Sequence, residues 1–67
     1  MFTARYFTAL EAFTIADKAW SAALERNFGN QARDVRYRPL GANATPQIAK
    51  LYSARQKAFK AWEAARH

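Results

Sequence analysis

Hydrophobic positions along the first 28 residues recur at steps of three and four, which is the spacing of one face of an α-helix. Aromatic residues in this stripe recur every seven residues, with small alanines between them, so a partner helix could approach closely and interlock. The stripe comprises Phe2, Tyr6, Ala9, Leu10, Phe13, Ala16, Trp20, Ala23, Leu24 and Phe28. The pattern predicts a helix over residues 2–28, ended by Gly29, which tolerates the left-handed conformation.

A second helix is predicted over residues 46–66. Thr45 supplies a capping hydroxyl at its start, and Pro46 suits the first helical position. The apolar stripe of this helix consists of Ile48, Leu51, Tyr52, Ala58, Phe59, Trp62 and Ala65. Lysines occupy the opposite face, as expected of a solvated surface. The stretches KAWSAAL and KAWEAAR make the two helices alike, either through duplication or, as we favour, because each needs one anchoring tryptophan.

The two helices predict an all-α fold within a single domain that spans residues 1–67. We expect an antiparallel two-helix hairpin with a long ordered connector over residues 29–45. Symmetric pairing about the connector places residues whose numbers sum to about 74 side by side, because both helices rise by the same distance per residue. In this register Trp62 lies near Phe13.

The same register places two opposite charges, Asp17 and Arg55, at one level inside the apolar stripes. A lone charge there would be costly, so we predict a salt bridge that fixes the register, with Arg55 stacked on Trp20 or Tyr52. In the alternative, Arg55 extends to solvent. Under the first interpretation, Asp17→Ala should lower the free energy of unfolding by more than about 1 kcal/mol.

A second apolar strip on the first helix has no occupant within a two-helix hairpin. Phe7 and Ile15 lie off the main stripe, near Ala4 and Ala22. A chain of 67 residues buries little surface by itself, and association is a common remedy. We therefore expect a homodimer with a four-helix arrangement. Alternatively, a different protein docks on this strip.

The net charge of +6 comes from the second half of the chain, because residues 1–30 are neutral. The connector contains the arginine-rich stretch RDVRYRP, Arg33–Pro39. If it is extended, Val35, Tyr37 and Leu40 cover the end of the hairpin as a lid, and alternate side chains point outward. Arg36 and Arg38 are among these outward side chains, and the whole candidate basic surface comprises Arg33, Arg36, Arg38, Lys50, Lys57 and Lys60.

Catalytic and metal-binding patterns are lacking. There is no cysteine, and the single histidine is His67. The five carboxylates do not pair at helical contact spacing, and there is no phosphate-binding glycine loop. The sequence therefore predicts a protein that is not an enzyme and needs no cofactor. Charges spread through the first 20 residues argue against an export signal or a membrane span, so we expect a cytoplasmic protein.

An alanine- and tryptophan-rich helix followed by FGNQARDVRYRPLGANATPQI and LYSARQKAFKAWEAA resembles small helical proteins encoded by tailed phages and prophages. The likeness covers residues 20–65. It implies a host-cell cytoplasm and a non-enzymatic role in binding a partner. No functional residue is carried over from it.

The leading hypothesis for function is a small helical interaction module that self-associates and binds, and thereby inhibits or modulates, another protein. If the chain is phage-encoded, that protein belongs to the host. The alternative is nucleic-acid binding by the basic connector and second helix, in which Arg side chains hold phosphates and Tyr37 stacks on a base. A basic amphipathic protein can also bind a membrane surface, but both faces of the second helix are already accounted for by the hairpin and water.

Overall fold

The computed structural model describes residues 4–66, in which every regular element is helical and no strand occurs. The elements are α1 (Ala4–Phe28), a 3₁₀ turn (Gly29–Gln31), α2 (Ala32–Val35), α3 (Leu40–Asn43) and α4 (Pro46–Arg66). The predicted all-α fold is confirmed. The predicted first helix begins with residues 2 and 3, which lie outside the described residues.

Both helix boundaries beside the connector follow from local chemistry. Gly29 has φ of 55°, a left-handed conformation that costs a residue with a β-carbon about 1 kcal/mol or more. Thr45 caps α4: the Ile48 N–H donates to the Thr45 hydroxyl over 3.0 Å. The Ala49 N–H donates to the Thr45 carbonyl over 2.9 Å, which is the first hydrogen bond of that helix.

The two long helices pack in the antiparallel sense, as ring contacts along the seam establish. Trp20 contacts Tyr52 with ring centroids 5.4 Å apart, and Phe13 contacts Phe59 at 5.6 Å. Residue numbers in both pairs sum to 72, close to the predicted register. Phe13 also stacks on Trp62 at 5.8 Å with the ring planes 6° apart, so this predicted contact is confirmed.

The buried hydrophobic core lies at the connector end of the hairpin. Three of its residues come from α1, two from α2 and one from α4: Trp20, Ala23, Leu24, Ala32, Val35 and Ile48. Phe28, Ala44, Leu51 and Tyr52 pack around them and are partly buried. The connector therefore supplies a third layer over the two helices, and the core depends on it.

The connector is not extended, which was the condition for the predicted lid, because α2 and α3 each form a helical turn. Ala32 and Val35 are three residues apart, which puts both on one helical face and buries both against α1. The predicted lid is correct only for Val35. Tyr37 is 82% exposed and Leu40 is 47% exposed. Helical rather than alternating geometry decides which connector side chains face inward.

α3 folds back closely onto the end of α2, and Gly41 makes this possible. A β-carbon at Gly41 would collide with the Val35 carbonyl oxygen and lie 3.3 Å from the backbone of Arg36. The Trp20 indole Nε1 donates to the Gly41 carbonyl over 2.8 Å in a buried hydrogen bond. A residue of α1 thereby holds the second half of the connector in place.

Candidate functional site

Asp17 is the centre of a polar cluster that joins α1, the connector and α4. Arg55 Nε donates to Asp17 Oδ1 over 2.7 Å, and Arg36 Nη2 donates to the same oxygen over 3.0 Å. Arg36 Nη1 also donates to the Ser21 hydroxyl over 2.7 Å. The predicted Asp17–Arg55 ion pair is therefore present, and it includes a second arginine that was expected on the surface.

The local sequence explains why these side chains meet. Asp17 and Ser21 are four residues apart on α1, so they lie one above the other on the same face. Arg36 directly follows α2, and its N–H donates to the Ala32 carbonyl over 3.0 Å, which continues the helical turn. This turn points Arg36 back toward α1. One carboxylate therefore fixes the positions of three chain segments.

Aromatic rings surround the two guanidinium groups. Each of Arg36 and Arg55 lies 4.9 Å from the centroid of the Trp20 ring. Arg55 is also 5.1 Å from the Phe13 ring, and its Nη1 donates to Gln56 Oε1 over 3.1 Å. Stacking of Arg55 on Trp20 is confirmed. Flat guanidinium groups suit this role because they can stack and donate at the same time.

The ionised form of Asp17 is favoured in this cluster. Burial raises the pKa of the Asp17 carboxyl, but the hydrogen bond from Arg55 and the positive charges of Arg36 and Arg55 outweigh burial, so the net pKa lies below its ordinary value. About 28% of the Asp17 side chain is exposed, so water screens the pair in part. A carboxylate held by two arginines is a poor proton acceptor, and we interpret this cluster as structural.

An open groove of about 320 Å³ lies beside the cluster, lined mainly by polar and charged side chains. Its lining residues are Ser21, Leu24, Glu25, Ala32, Arg33, Arg36 and Tyr37. Ser21 accepts from Arg36 and has no histidine beside it within residues 4–66. Among these residues, no group of three His, Cys, Asp or Glu side chains could hold a metal ion. The groove therefore offers no nucleophile and base pair of a recognisable kind.

The predicted interface residues all lie on the surface. Phe7 is 58% exposed and Ile15 is 61% exposed, and Ala4 and Ala22 are exposed beside them. They occupy the side of α1 that faces away from α4, since 100° per residue places them opposite the Trp20 stripe. The structure thus brings the four predicted residues onto one solvent-facing strip.

The predicted basic surface is only partly correct. Arg36 is half-buried and bound to Asp17 and Ser21, so it is not displayed to solvent as predicted. An extended chain would have pointed Arg36 to solvent, whereas the helical turn at α2 points it toward α1. The other five predicted residues are exposed: Arg33, Arg38, Lys50, Lys57 and Lys60. The three lysines share the outer face of α4.

The sequence pattern did not predict the role of Ser21 in the cluster or the acceptor of the neighbouring Trp20 indole. The position of Ser21 beside Asp17 could have been predicted, because Ser21 follows Asp17 by four residues on the same helical face. The Trp20 indole N–H also needed an acceptor once it was assigned to the core, since buried polar groups are nearly always paired. Its acceptor, the Gly41 carbonyl, is 21 residues away and carried no local signal.

Neither α1 nor α4 is both long and apolar enough to cross a membrane, and the same holds for every helix within residues 4–66.

No family model matches the chain, and comparisons with curated proteins and with solved structures found no significant match. The function is therefore inferred from the surfaces described above.

Proposed function

We propose that this chain is a non-enzymatic helical interaction module that self-associates through the outer strip of α1 and also binds another protein. We define the outer strip as the four exposed residues Ala4, Phe7, Ile15 and Ala22. The observation that supports this most is the exposure of 58% at Phe7 and 61% at Ile15. Both side chains are large and apolar, and α4 occupies the other side of the helix.

Burial energetics favour association of this strip. Covering apolar surface gains about 25 cal/mol for each Å² removed from water. Within residues 4–66, six apolar residues and Gly41 are buried, all near the connector, so the core of a single chain is small. Small domains of this kind commonly gain stability from a second chain. Within residues 4–66, the exposed large apolar side chains of the long helices are Phe7 and Ile15, so the outer strip is the surface that could supply that gain.

The resemblance to phage-encoded proteins suggests which proteins would be bound. We propose that the module acts in the cytoplasm of a host cell and modifies the action of a host protein. Tyr37 and Leu40 would contribute to that contact, because they are exposed apolar side chains at the other end of the molecule. Aromatic residues are over-represented among those that dominate binding energies at protein interfaces.

Nucleic-acid binding is the second candidate, favoured by the exposure of Arg33, Arg38, Lys50, Lys57 and Lys60. Arg36 is bound to Asp17, so Arg36 and Arg38 cannot hold one phosphate together. This weakens the candidate. It predicts binding of a labelled duplex or single strand that weakens steeply with added salt. Absence of any shift at low salt would exclude it.

Analytical ultracentrifugation tests the leading proposal. We expect the purified chain to form a dimer at roughly tens of micromolar, a modest affinity because one helix face is smaller than a standard interface of about 800 Å² per partner. Phe7→Asp should convert the dimer to monomers, since it places a charge in an apolar seam. Ser53→Asp is the matched control: it adds the same charge on the exposed face of α4 and should leave the dimer intact. A monomeric wild type at these concentrations would contradict self-association.

A further inference from the structure

The solvent-facing side of α1 carries charges as well as apolar residues. Eight exposed residues lie on this side: Ala4, Phe7, Glu11, Thr14, Ile15, Lys18, Ala22 and Glu25. Their positions follow from 100° per residue and centre on the side opposite Trp20. Glu11 and Lys18 stand near the middle of the strip, on either side of Thr14 and Ile15. Glu25 adds a second negative charge toward the connector end, so any partner of this surface must accommodate two negative charges and one positive charge.

Within the chain, the charges of Glu11 and Lys18 cannot neutralise one another. They are seven residues apart, which separates them by roughly 10 Å along the helix. Residues three or four positions from either one are uncharged. Neither side chain forms an ion pair within the part of the chain that the structure describes. Two opposite charges are thus available to an external partner at a fixed spacing.

Resting on the proposed self-association, we propose that the outer strip binds the outer strip of a second copy in an antiparallel arrangement. The two-fold axis passes between Thr14 and Ile15. This axis places Glu11 opposite Lys18 of the second copy, and Lys18 opposite Glu11 of the second copy. It also places Phe7 opposite Ala22 of the second copy, so a large side chain meets a small one. A two-fold interface repeats each of these contacts twice.

The distribution of net charge also selects a second copy as the occupant. Residues 1–30, which contain α1, have no net charge, so two copies can approach along this face without net repulsion. The lysines at positions 50, 57 and 60 lie on the outer face of α4, on the far side of each hairpin. On the solvent-facing side between Phe7 and Ala22, the charges of Glu11 and Lys18 balance, so this segment offers neither an acidic nor a basic partner an excess of opposite charge. The same side of α1 in a second copy supplies both signs in the required order, through its own Glu11 and Lys18.

This arrangement defines the form of the four-helix assembly. The α1 helices lie side by side at the centre, and each α4 lies outside its own α1, because the outer strip faces away from α4. The result is a layered array rather than a bundle around one shared core. Each buried core at the connector end stays within its own chain, and only the outer strips are covered on association.

Charge reversal tests the proposed pairing in the full chain, with the dissociation constant measured by sedimentation equilibrium. Glu11→Lys alone or Lys18→Glu alone opposes like charges twice across the seam, and each should weaken the dimer by at least about tenfold. The double variant Glu11→Lys, Lys18→Glu restores both pairs, and its dissociation constant should return to within about threefold of the wild type. Helix content by circular dichroism controls for folding.

An exchange of size provides a second, independent measurement. Phe7→Ala alone should weaken the dimer through lost burial, and Ala22→Phe alone should weaken it through steric overlap with Phe7 of the second copy. The double exchange Phe7→Ala, Ala22→Phe places large against small again and should recover most of the affinity. This exchange involves no charged residue, so its result does not depend on the charge pairing that the first experiment tests.

The outcomes separate this inference from the proposal on which it rests. Rescue in both double variants supports the antiparallel seam. A stable dimer in which neither double variant is rescued overturns the antiparallel seam but leaves self-association standing. A wild-type chain that stays monomeric overturns both. Single charge reversals that leave the dissociation constant unchanged also overturn the seam.

Discussion

The two ends of the hairpin differ in how completely they are packed. At the connector end, Trp20, Leu24 and Ile48 are at most 2% exposed, and the Trp20 Nε1 donates to the Gly41 carbonyl. At the open end, the rings of Tyr6, Phe13, Phe59 and Trp62 contact one another but remain only partly buried. The Trp62 Nε1 is buried there without a hydrogen-bond acceptor among the described residues. Stability is therefore concentrated at the connector end.

The difference follows from the number of layers at each end. Two helices can cover each other on one side only, so their remaining surface stays in contact with water. The connector adds α2 and α3 as a third layer over Trp20 and Leu24, which excludes water from this end. At the open end, large aromatic rings substitute for that layer, because one ring covers more surface than an aliphatic side chain.

The largest expected effect is at Leu24, which is 1% exposed. Leu24→Ala should lower the free energy of unfolding by about 2–5 kcal/mol, because it removes buried methyl groups and leaves a cavity. Leu10→Ala makes the same chemical change in the half of α1 nearer the open end, at a half-buried position. It should cost less than half as much. Urea unfolding at one low protein concentration measures both.

Equal losses for the two leucine variants would contradict the comparison, since they would mean that both ends contribute alike. A larger loss at Leu10 would reverse it. Both variants must keep the same dependence of unfolding on urea concentration, because a changed dependence would indicate an altered unfolded state rather than altered packing.

A smaller effect separates the two tryptophans. Trp20→Phe removes the donor to a buried carbonyl and should cost about 1–3 kcal/mol, because the Gly41 oxygen loses its partner. Trp62→Phe removes an indole N–H that has no acceptor within residues 4–66, so its loss of volume is offset by relief of an unsatisfied polar group. We expect a change close to zero. Thermal unfolding of the two variants gives the comparison directly.

If Trp62→Phe destabilises the protein as much as Trp20→Phe, the indole N–H of Trp62 has an acceptor in solution. The polar groups at the open end would then be hydrogen-bonded more completely than proposed. Fluorescence helps to assign the effect, since each variant retains one tryptophan. The emission of the retained Trp20 should report a buried ring, and that of the retained Trp62 a partly exposed one.

The features that the sequence predicted correctly are those governed by spacing and local chemistry. Helical periodicity located both long helices, and Thr45 and Gly29 marked boundaries that the structure has at the same places. The ion pair of Asp17 and Arg55 was predictable because two opposite charges at one level inside the apolar stripes are expected to pair. These inferences need only the rise per residue and the cost of burying a charge.

The connector could not be predicted in the same way. Its helical turns depend on contacts between residues far apart in the chain, namely Arg36 with Asp17 and Trp20 with Gly41. A stretch with three arginines, a valine and a proline carries no strong local preference, so tertiary contacts decide its conformation. The same contacts explain why Arg36, which looked like a ligand-binding residue, is part of the fold.

The smallest difference between two paired variants is expected for Asp17 and Asp34, of which Asp17 joins the connector to both long helices. Asp17→Asn keeps the shape but removes the charge, and should cost about 1 kcal/mol at neutral pH for a partly exposed pair. The pKa of Asp17 in the folded chain lies below its value in the unfolded chain. The ionised carboxylate therefore stabilises the fold at pH values above the unfolded pKa. That stabilisation is lost as the pH falls through the folded pKa. The difference in free energy of unfolding between wild type and variant, from urea unfolding at several pH values, should therefore be largest near neutrality and vanish in acid.

Asp34→Asn is the control, at an exposed position with no ion pair in the described part of the chain, and it should show little difference at any pH. A gap at Asp17 that stayed constant down to strong acid would mean that shape, and not charge, links the connector to the helices.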